Sequence, residues 1–270
     1  MDGTDKDLLN VEKSYCISMA KNENKWGSIL DQIHYNGFPS CDIFEAVNGS
    51  EYKNSNNIGI LSVWEEYILK LAKKRNNHEH FTSWGGLGCY LSHCAIWTDA
   101  INKGYKKIAV FEDDVVFAND FENRLKLSIV NVPENYEILL MGANRLSSTP
   151  VNGVDGNNIV AINRFFFTHA YVITDHAMTV LLSRAFPVEL QIDSFMSFMI
   201  QLNSLPTYDI AGLCSQVMHL SSIQTLCTDC PDIGADGKYQ SSFNYFVKQY
   251  HNIIIIILTI LIIFLIANKE

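Results

Sequence analysis

The chain has 270 residues, 48% of them hydrophobic, and a formal charge of −9. That length and apolar share allow one large α/β domain, or two small ones, with a proper core. The acidic balance argues against a nucleic-acid partner, which wants a basic patch, and seven cysteines without a regular frame argue for thiols kept reduced rather than a disulfide scaffold.

In chain order, residues 1–12 form a polar, acidic lead-in. It is unlike a secretory signal, and Asp2 stands where N-myristoylation needs glycine. Ser14–Met19 has strand composition. Trp26, Ile29, Leu30 and Ile33 recur at helical spacing, and Cys41–Val47 reads as a second strand closed by an Asn48-Gly49 turn. This β-α-β opening favours a parallel sheet. Ser50–Ile60 is Asn-rich and loop-like. Ser62-Val-Trp-Glu65 fits the capping box of a helix ending in Lys73-Lys-Arg75, followed by His78 and His80 in a polar loop.

Ser83-Trp-Gly-Gly-Leu-Gly88 is glycine-dense, so a tight turn that lets the backbone approach a ligand is expected there, although it matches neither G-x-G-x-x-G nor a P-loop. Cys89–Lys103 follows as a helix stopped by Gly104. Within it, His93 among Leu91, Cys94 and Trp97 has the company of a core histidine.

Ile108-Ala-Val-Phe-Glu-Asp-Asp-Val-Val-Phe117 is the most informative stretch. A continuous apolar run reads as a strand buried on both faces. Three carboxylates at its end are costly unless something compensates their charge. In open α/β sheets ligands bind in the crevice beyond the strand carboxyl ends, and carboxylate oxygens suit Mg²⁺ or Mn²⁺, which in turn hold phosphates. Glu112, Asp113 and Asp114 are therefore candidate metal ligands for a nucleotide-activated substrate; the alternative is a solvated acidic turn.

Asn119–Val130 reads as another helix and Ile138–Met141 as a buried strand; Leu146–Asn158 reads as a long loop. Phe165–Thr174 is strand-like throughout, Asp175 caps a helix to Arg184, Pro187–Asp193 is an apolar-polar alternation ending on a carboxylate, and Leu205–Ile210 is a last strand. The main domain is thus 13–226, followed by a linker at 227–249. Cys227-Thr-Asp-Cys230, without a second pair, is weak evidence for zinc. Ile253–Ala267 is uncharged, and with flanks from Tyr250 to Asn268 it makes a C-terminal hydrophobic helix suited to a membrane anchor at 250–268. A tail anchor of this kind leaves the folded part in the cytosol. The Ile- and Asn-rich usage fits an AT-rich genome such as that of a large virus or a protist, and hence a viral or host-membrane protein.

Phe44–Gly49, the Gly85–Trp97 segment and Phe111–Val116, with weaker matches at His169–Thr174, Pro187–Asp193, Gln216 and Ser221–Gln224, together resemble glycosyltransferase family 25. The resemblance implies a GT-A type, Rossmann-like α/β domain, a UDP-sugar donor and Mn²⁺ or Mg²⁺ at the acidic motif. It also implies an inverting transfer of a hexose to a hydroxyl on a glycan, lipid or protein acceptor. By that likeness Asp114, with Glu112 or Asp113, holds the ion; Gly86, Gly88, Ser92 and His93 help to bind the donor; and Asp193 takes the acceptor proton, unless it only caps the helix that follows. Two departures stand out: Ile17-Ser-Met-Ala-Lys-Asn22 replaces the usual Asn-Leu-Asp-Arg strand end, and Leu87 occupies a commonly acidic position. A non-catalytic, membrane-tethered scaffold is the competing class of function.

Overall fold

The structure, a computed structural model, describes residues 8–54, 60–62, 80, 83–151 and 158–216. All of these lie in the first of two compact units, Met1–Cys230 and Pro231–Glu270. The expected helix over 63–75, the Cys227/Cys230 pair, the linker and the anchor fall outside the described residues. Among the described residues no helix is long and apolar enough to cross a membrane.

The chain opens as expected. Strand β1 (Lys13–Ser18), helix α1 (Glu23–Tyr35) and strand β2 (Cys41–Glu45) form a β-α-β unit, with β1 and β2 parallel. Helix α2 (Trp84–Asn102) leads to β3 (Lys107–Glu112), which pairs parallel to β1 on its other side. Then come β4 (Val115–Phe117), α3 (Phe121–Ile129), β5 (Ile138–Leu140), β6 (Asn144–Pro150), β7 (Ile159–Phe166) and β8 (Ala170–Thr174). Helices α4 (Asp175–Leu182) and α5 (Ile192–Asn203) precede β9 (Thr207–Ile210) and β10 (Cys214–Gln216).

Eight strands form one sheet in the order β2-β1-β3-β8-β5-β9-β7-β6, and β4 pairs with β10 in a separate ribbon. The sheet is mixed rather than parallel, because β8 and β7 run against their neighbours. Strands β1, β2, β3, β5 and β9 still share one direction, so their carboxyl ends line a common edge.

Alternate residues of the central strands enter opposite cores, which is why β3 reads as an unbroken apolar run. Tyr15, Ile17, Ile108, Val110, Leu140 and Tyr171 pack under α2, α4 and α5. Cys16, Ala109, Phe111, Leu139, Met141 and Val172 face α1 and α3. Each buried Val, Leu, Ile, Phe or Met among them contributes about 1.5–3 kcal/mol by leaving water.

Three expectations need correction. The stretch at 83–88 is helical: Ser83 is the N-cap and its hydroxyl accepts from the Gly86 N–H at 3.2 Å. The loop over 146–158 begins as the edge strand β6, whose exposed polar side chains hide the strand from an apolar pattern. The apolar run at 165–174 is two strands, broken where Phe167 adopts φ +76°.

Candidate active site

The carboxyl end of β3 and the turn into β4 carry Glu112, Asp113 and Asp114. The turn is tied back to β1 by the Asp113 N–H, which donates to the Ile17 carbonyl at 3.1 Å. Each carboxylate has a different environment.

Asp113 is braced by the end of β1. Its Oδ2 accepts from the Ser18 hydroxyl at 2.6 Å and the Asn22 amide at 2.8 Å, and the Trp26 indole N–H donates to Ser18 Oγ at 2.9 Å. The residues that depart from the family's strand ending are thus the ones that hold Asp113.

Glu112 turns toward the core. Its Oε1 accepts from the Thr168 hydroxyl at 2.8 Å and lies 3.5 Å from Nε2 of the fully buried His93. Burial pushes the Glu112 carboxyl up, but His93 and Thr168 outweigh it and hold the group below the usual glutamate range.

Asp114 is the least compensated. Its Oδ2 accepts from the Gln216 amide of β10 at 2.8 Å, while Oδ1 is buried without a hydrogen-bond partner. Burial, with Glu112 and Asp113 close by, pushes its carboxyl up to about 7. Among the described residues no lysine or arginine pairs with any of the three acids. Hard carboxylate oxygens, one of them buried and unpartnered, are the donor type that Mn²⁺ or Mg²⁺ takes. Among the described residues, however, the side chains whose ligand atoms converge within 4.8 Å are Cys89, His93 and Glu112 rather than these three acids.

Asp193 belongs to the same region. It stands in the first turn of α5 rather than at the end of a strand. Its Oδ1 accepts from the Ser194 N–H at 2.7 Å, and its Oδ2 from the Phe167 N–H at 3.3 Å. The next residue, Thr168, bonds Glu112, and the Glu112 N–H donates to the His169 carbonyl at 2.9 Å. Three consecutive residues after β7 therefore link Asp193 to the acidic turn. His169 is also buried; neither ring nitrogen closes a hydrogen bond among the described residues, and burial holds its pKa below the usual histidine value.

The other expected binding residues are engaged with the chain itself. A Cβ on Gly88 would stand 2.3 Å from the Val47 carbonyl oxygen, and one on Gly49 would stand 1.7 Å from the Trp84 carbonyl oxygen. Ser92 Oγ accepts from the Val47 N–H at 2.8 Å and donates to the Gly88 carbonyl at 2.7 Å. Gly86 is buried in the first turn of α2 with its N–H directed to Ser83. The close backbone approach that Gly88 permits is to Val47 and Gly49.

Sequence reasoning gave no role to Ser18, Asn22, Thr168, Tyr171 or Gln216, all of which touch the site's acids or His93. It also missed the Asp209–Arg145 ion pair, at 2.6 Å, on the same sheet edge. Gln216 and Tyr171 fell within matched segments of the family resemblance and Ser18 and Asn22 within its departing strand end, while Thr168 carried no signal.

A family description, "Glycosyltransferase family 25 (LPS biosynthesis protein)", matches residues 11–196. Human procollagen galactosyltransferase 2 is 28% identical over 212 residues, which cover 75% of this chain and 32% of that protein. A bovine protein named as a probable inactive glycosyltransferase 25 family member 3 is 30% identical over 120 residues, 43% of this chain and 20% of its own length. The chain thus spans a fifth to a third of the length of these relatives. A crystal structure of UDP-glucose pyrophosphorylase complexed with UDP-glucose aligns at 10% identity with a TM-score of 0.40, covering 74% of this chain and 90% of that one. With the family match extending from before β1 into α5, the chain belongs to glycosyltransferase family 25.

Proposed function

We propose that this chain is a metal-dependent glycosyltransferase that moves a hexose from a UDP-sugar to a hydroxyl of a glycan, lipid or protein acceptor, with inversion. The observation that carries the reading is the buried, unpartnered Oδ1 of Asp114, set beside two further carboxylates with no described cationic side chain to neutralise them. A buried acid left in that state is costly, and a bound cation resolves the cost.

Asp114 and Glu112 hold the ion, while Asp113, pinned by Ser18 and Asn22, fixes the turn and offers its second oxygen. When bound, the cation supplies positive charge against the diphosphate as the sugar–phosphate bond breaks. Asp193 accepts the acceptor hydroxyl's proton while that oxygen bonds the anomeric carbon and UDP departs with the bond electrons. The backbone N–H groups on both Asp193 oxygens hold the carboxylate in place. The apolar segment at 253–267 tethers the domain to a membrane from the cytosolic side, where nucleotide sugars are made.

The test is a donor screen by UDP release with and without Mn²⁺, on the wild type and Asp114→Asn. Release that needs the metal and is lost in the variant supports the reading; metal-independent release that survives the change overturns it. A non-catalytic role is the second reading, favoured by the relatives named as inactive. Correct folding with no turnover of any UDP-sugar would establish it.

A further inference from the structure

Behind Glu112, three fully buried side chains form a polar path through an otherwise apolar core. Trp97, Tyr171 and His93 are each 0% exposed. The Trp97 indole N–H donates to the Tyr171 hydroxyl at 3.0 Å, and that hydroxyl lies 2.8 Å from Nδ1 of His93. The other ring nitrogen, Nε2, stands 3.5 Å from Glu112 Oε1, within ion-contact distance, and closes no hydrogen bond among the described residues.

The order of the protons follows from what each group can do. An indole N–H only donates, so the Tyr171 oxygen accepts it and directs its single hydrogen to Nδ1 of His93. Nδ1 is therefore the acceptor, and the ring carries its hydrogen on Nε2, aimed at Glu112. The opposite order would strand the tyrosine hydrogen in the core without an acceptor. It would also set a bare nitrogen lone pair against a carboxylate oxygen.

We propose that Trp97, Tyr171 and His93 form a one-way donor relay whose last N–H positions Glu112. Together with Thr168 it holds Oε1 inward, leaving Oε2 for the cation. The inference rests on the metal reading of the acidic turn and deepens it: His93 is a positioning residue, acting through Glu112, rather than a donor-sugar contact. The same proton order argues against a different site here. Cys89 Sγ, His93 Nε2 and Glu112 Oε1 lie within 4.8 Å of one another, a set that Zn²⁺ would accept if Nε2 were bare.

The experiment uses the full chain and two readouts. In the metal-free protein, long-range ¹⁵N–¹H correlation identifies the tautomer of His93, assigned by its loss in His93→Gln; the Nε2–H form is expected. Mn²⁺ affinity in the presence of UDP is then followed by the free-ion EPR signal. Removing an outer-shell partner typically weakens metal binding about 10–100-fold, so His93→Leu should fall in that range. His93→Gln, whose amide can present an N–H where Nε2 stood, should recover most of the loss. Tyr171→Phe, which releases the tautomer, should fall between them.

An Nδ1–H tautomer, His93→Leu binding Mn²⁺ like the wild type, or His93→Gln as weak as His93→Leu would each overturn the proposal. So would tight Zn²⁺ binding that disappears in Cys89→Ser. If Asp114→Asn abolishes Mn²⁺ binding while His93→Leu does not, the relay fails and the cation site stands. If the wild type binds no Mn²⁺, both fail. Should His93→Leu not fold, the tautomer and Tyr171→Phe decide.

Discussion

Asp209 and Asp114 stand on the same edge of the sheet, one near the end of β9 and the other just past β3. Asp209 is fully buried and fully answered. Its Oδ1 accepts from the Gly142 and Ala143 N–H groups at 2.9 and 3.1 Å, and its Oδ2 from Arg145 Nε at 2.6 Å. Asp114 has the Gln216 amide on one oxygen and, among the described residues, no hydrogen bond on the other. The contrast separates an acid that completes the fold from one whose compensation must come from outside the chain. Asp209 is the more deeply buried of the two, so the supply of donors, not burial, is what leaves Asp114 the less compensated.

That contrast can be broken at either end. The largest effect is expected at Asp114→Asn, which should lower metal-supported transfer about 10³-fold, near 4 kcal/mol of barrier, with unfolding midpoints no lower than wild type. Parallel loss of stability would place Asp114 with Asp209 instead. Asp209→Ala should do the reverse. It leaves Arg145 and two N–H groups without their acceptor and costs about 3 kcal/mol in urea denaturation, with turnover per folded molecule intact.

Gly88→Ala probes the packing of α2 on the chain after β2. Its new methyl would meet the Val47 carbonyl, and overpacking of this kind costs about 2 kcal/mol, readable as a drop in melting temperature.

The last effect is in pH dependence. With Asp114 raised to about 7 when folded and near 3.8 when unfolded, the native state keeps a proton that the unfolded chain has released. Metal-free wild type should therefore lose stability relative to Asp114→Asn as pH rises from about 4 to 7, and the difference should level off above that range. Saturating Mn²⁺ should remove the slope.

Much of the fold was legible: burial on both faces writes itself as the uninterrupted apolar runs of β3 and β5, and the β1–α1–β2 opening showed in strand composition and in the helical spacing of Trp26, Ile29, Leu30 and Ile33. The acidic turn was legible for the same reason, since three charges directly after Phe111 contradict their surroundings. What escaped was long-range or locally disguised. Strand β6 is polar because it is an edge; the break at Phe167 leaves no trace in an apolar run; and Asp209 finds Arg145 across 64 positions. The glycines at 86 and 88 were read toward a ligand because a sequence shows that backbone can come close, not what comes close to it.

The contact of Gly49 with Trp84 has a consequence for how this protein can vary. Positions 49 and 84 are held in backbone contact, and between them Ile60 and Leu61 pack on the core while Ile60 and Ser62 bond Val188. Bringing two fixed points together depends only weakly on the length of chain between them. Insertions between 54 and 60 should therefore leave β1, β3 and the acidic turn in register.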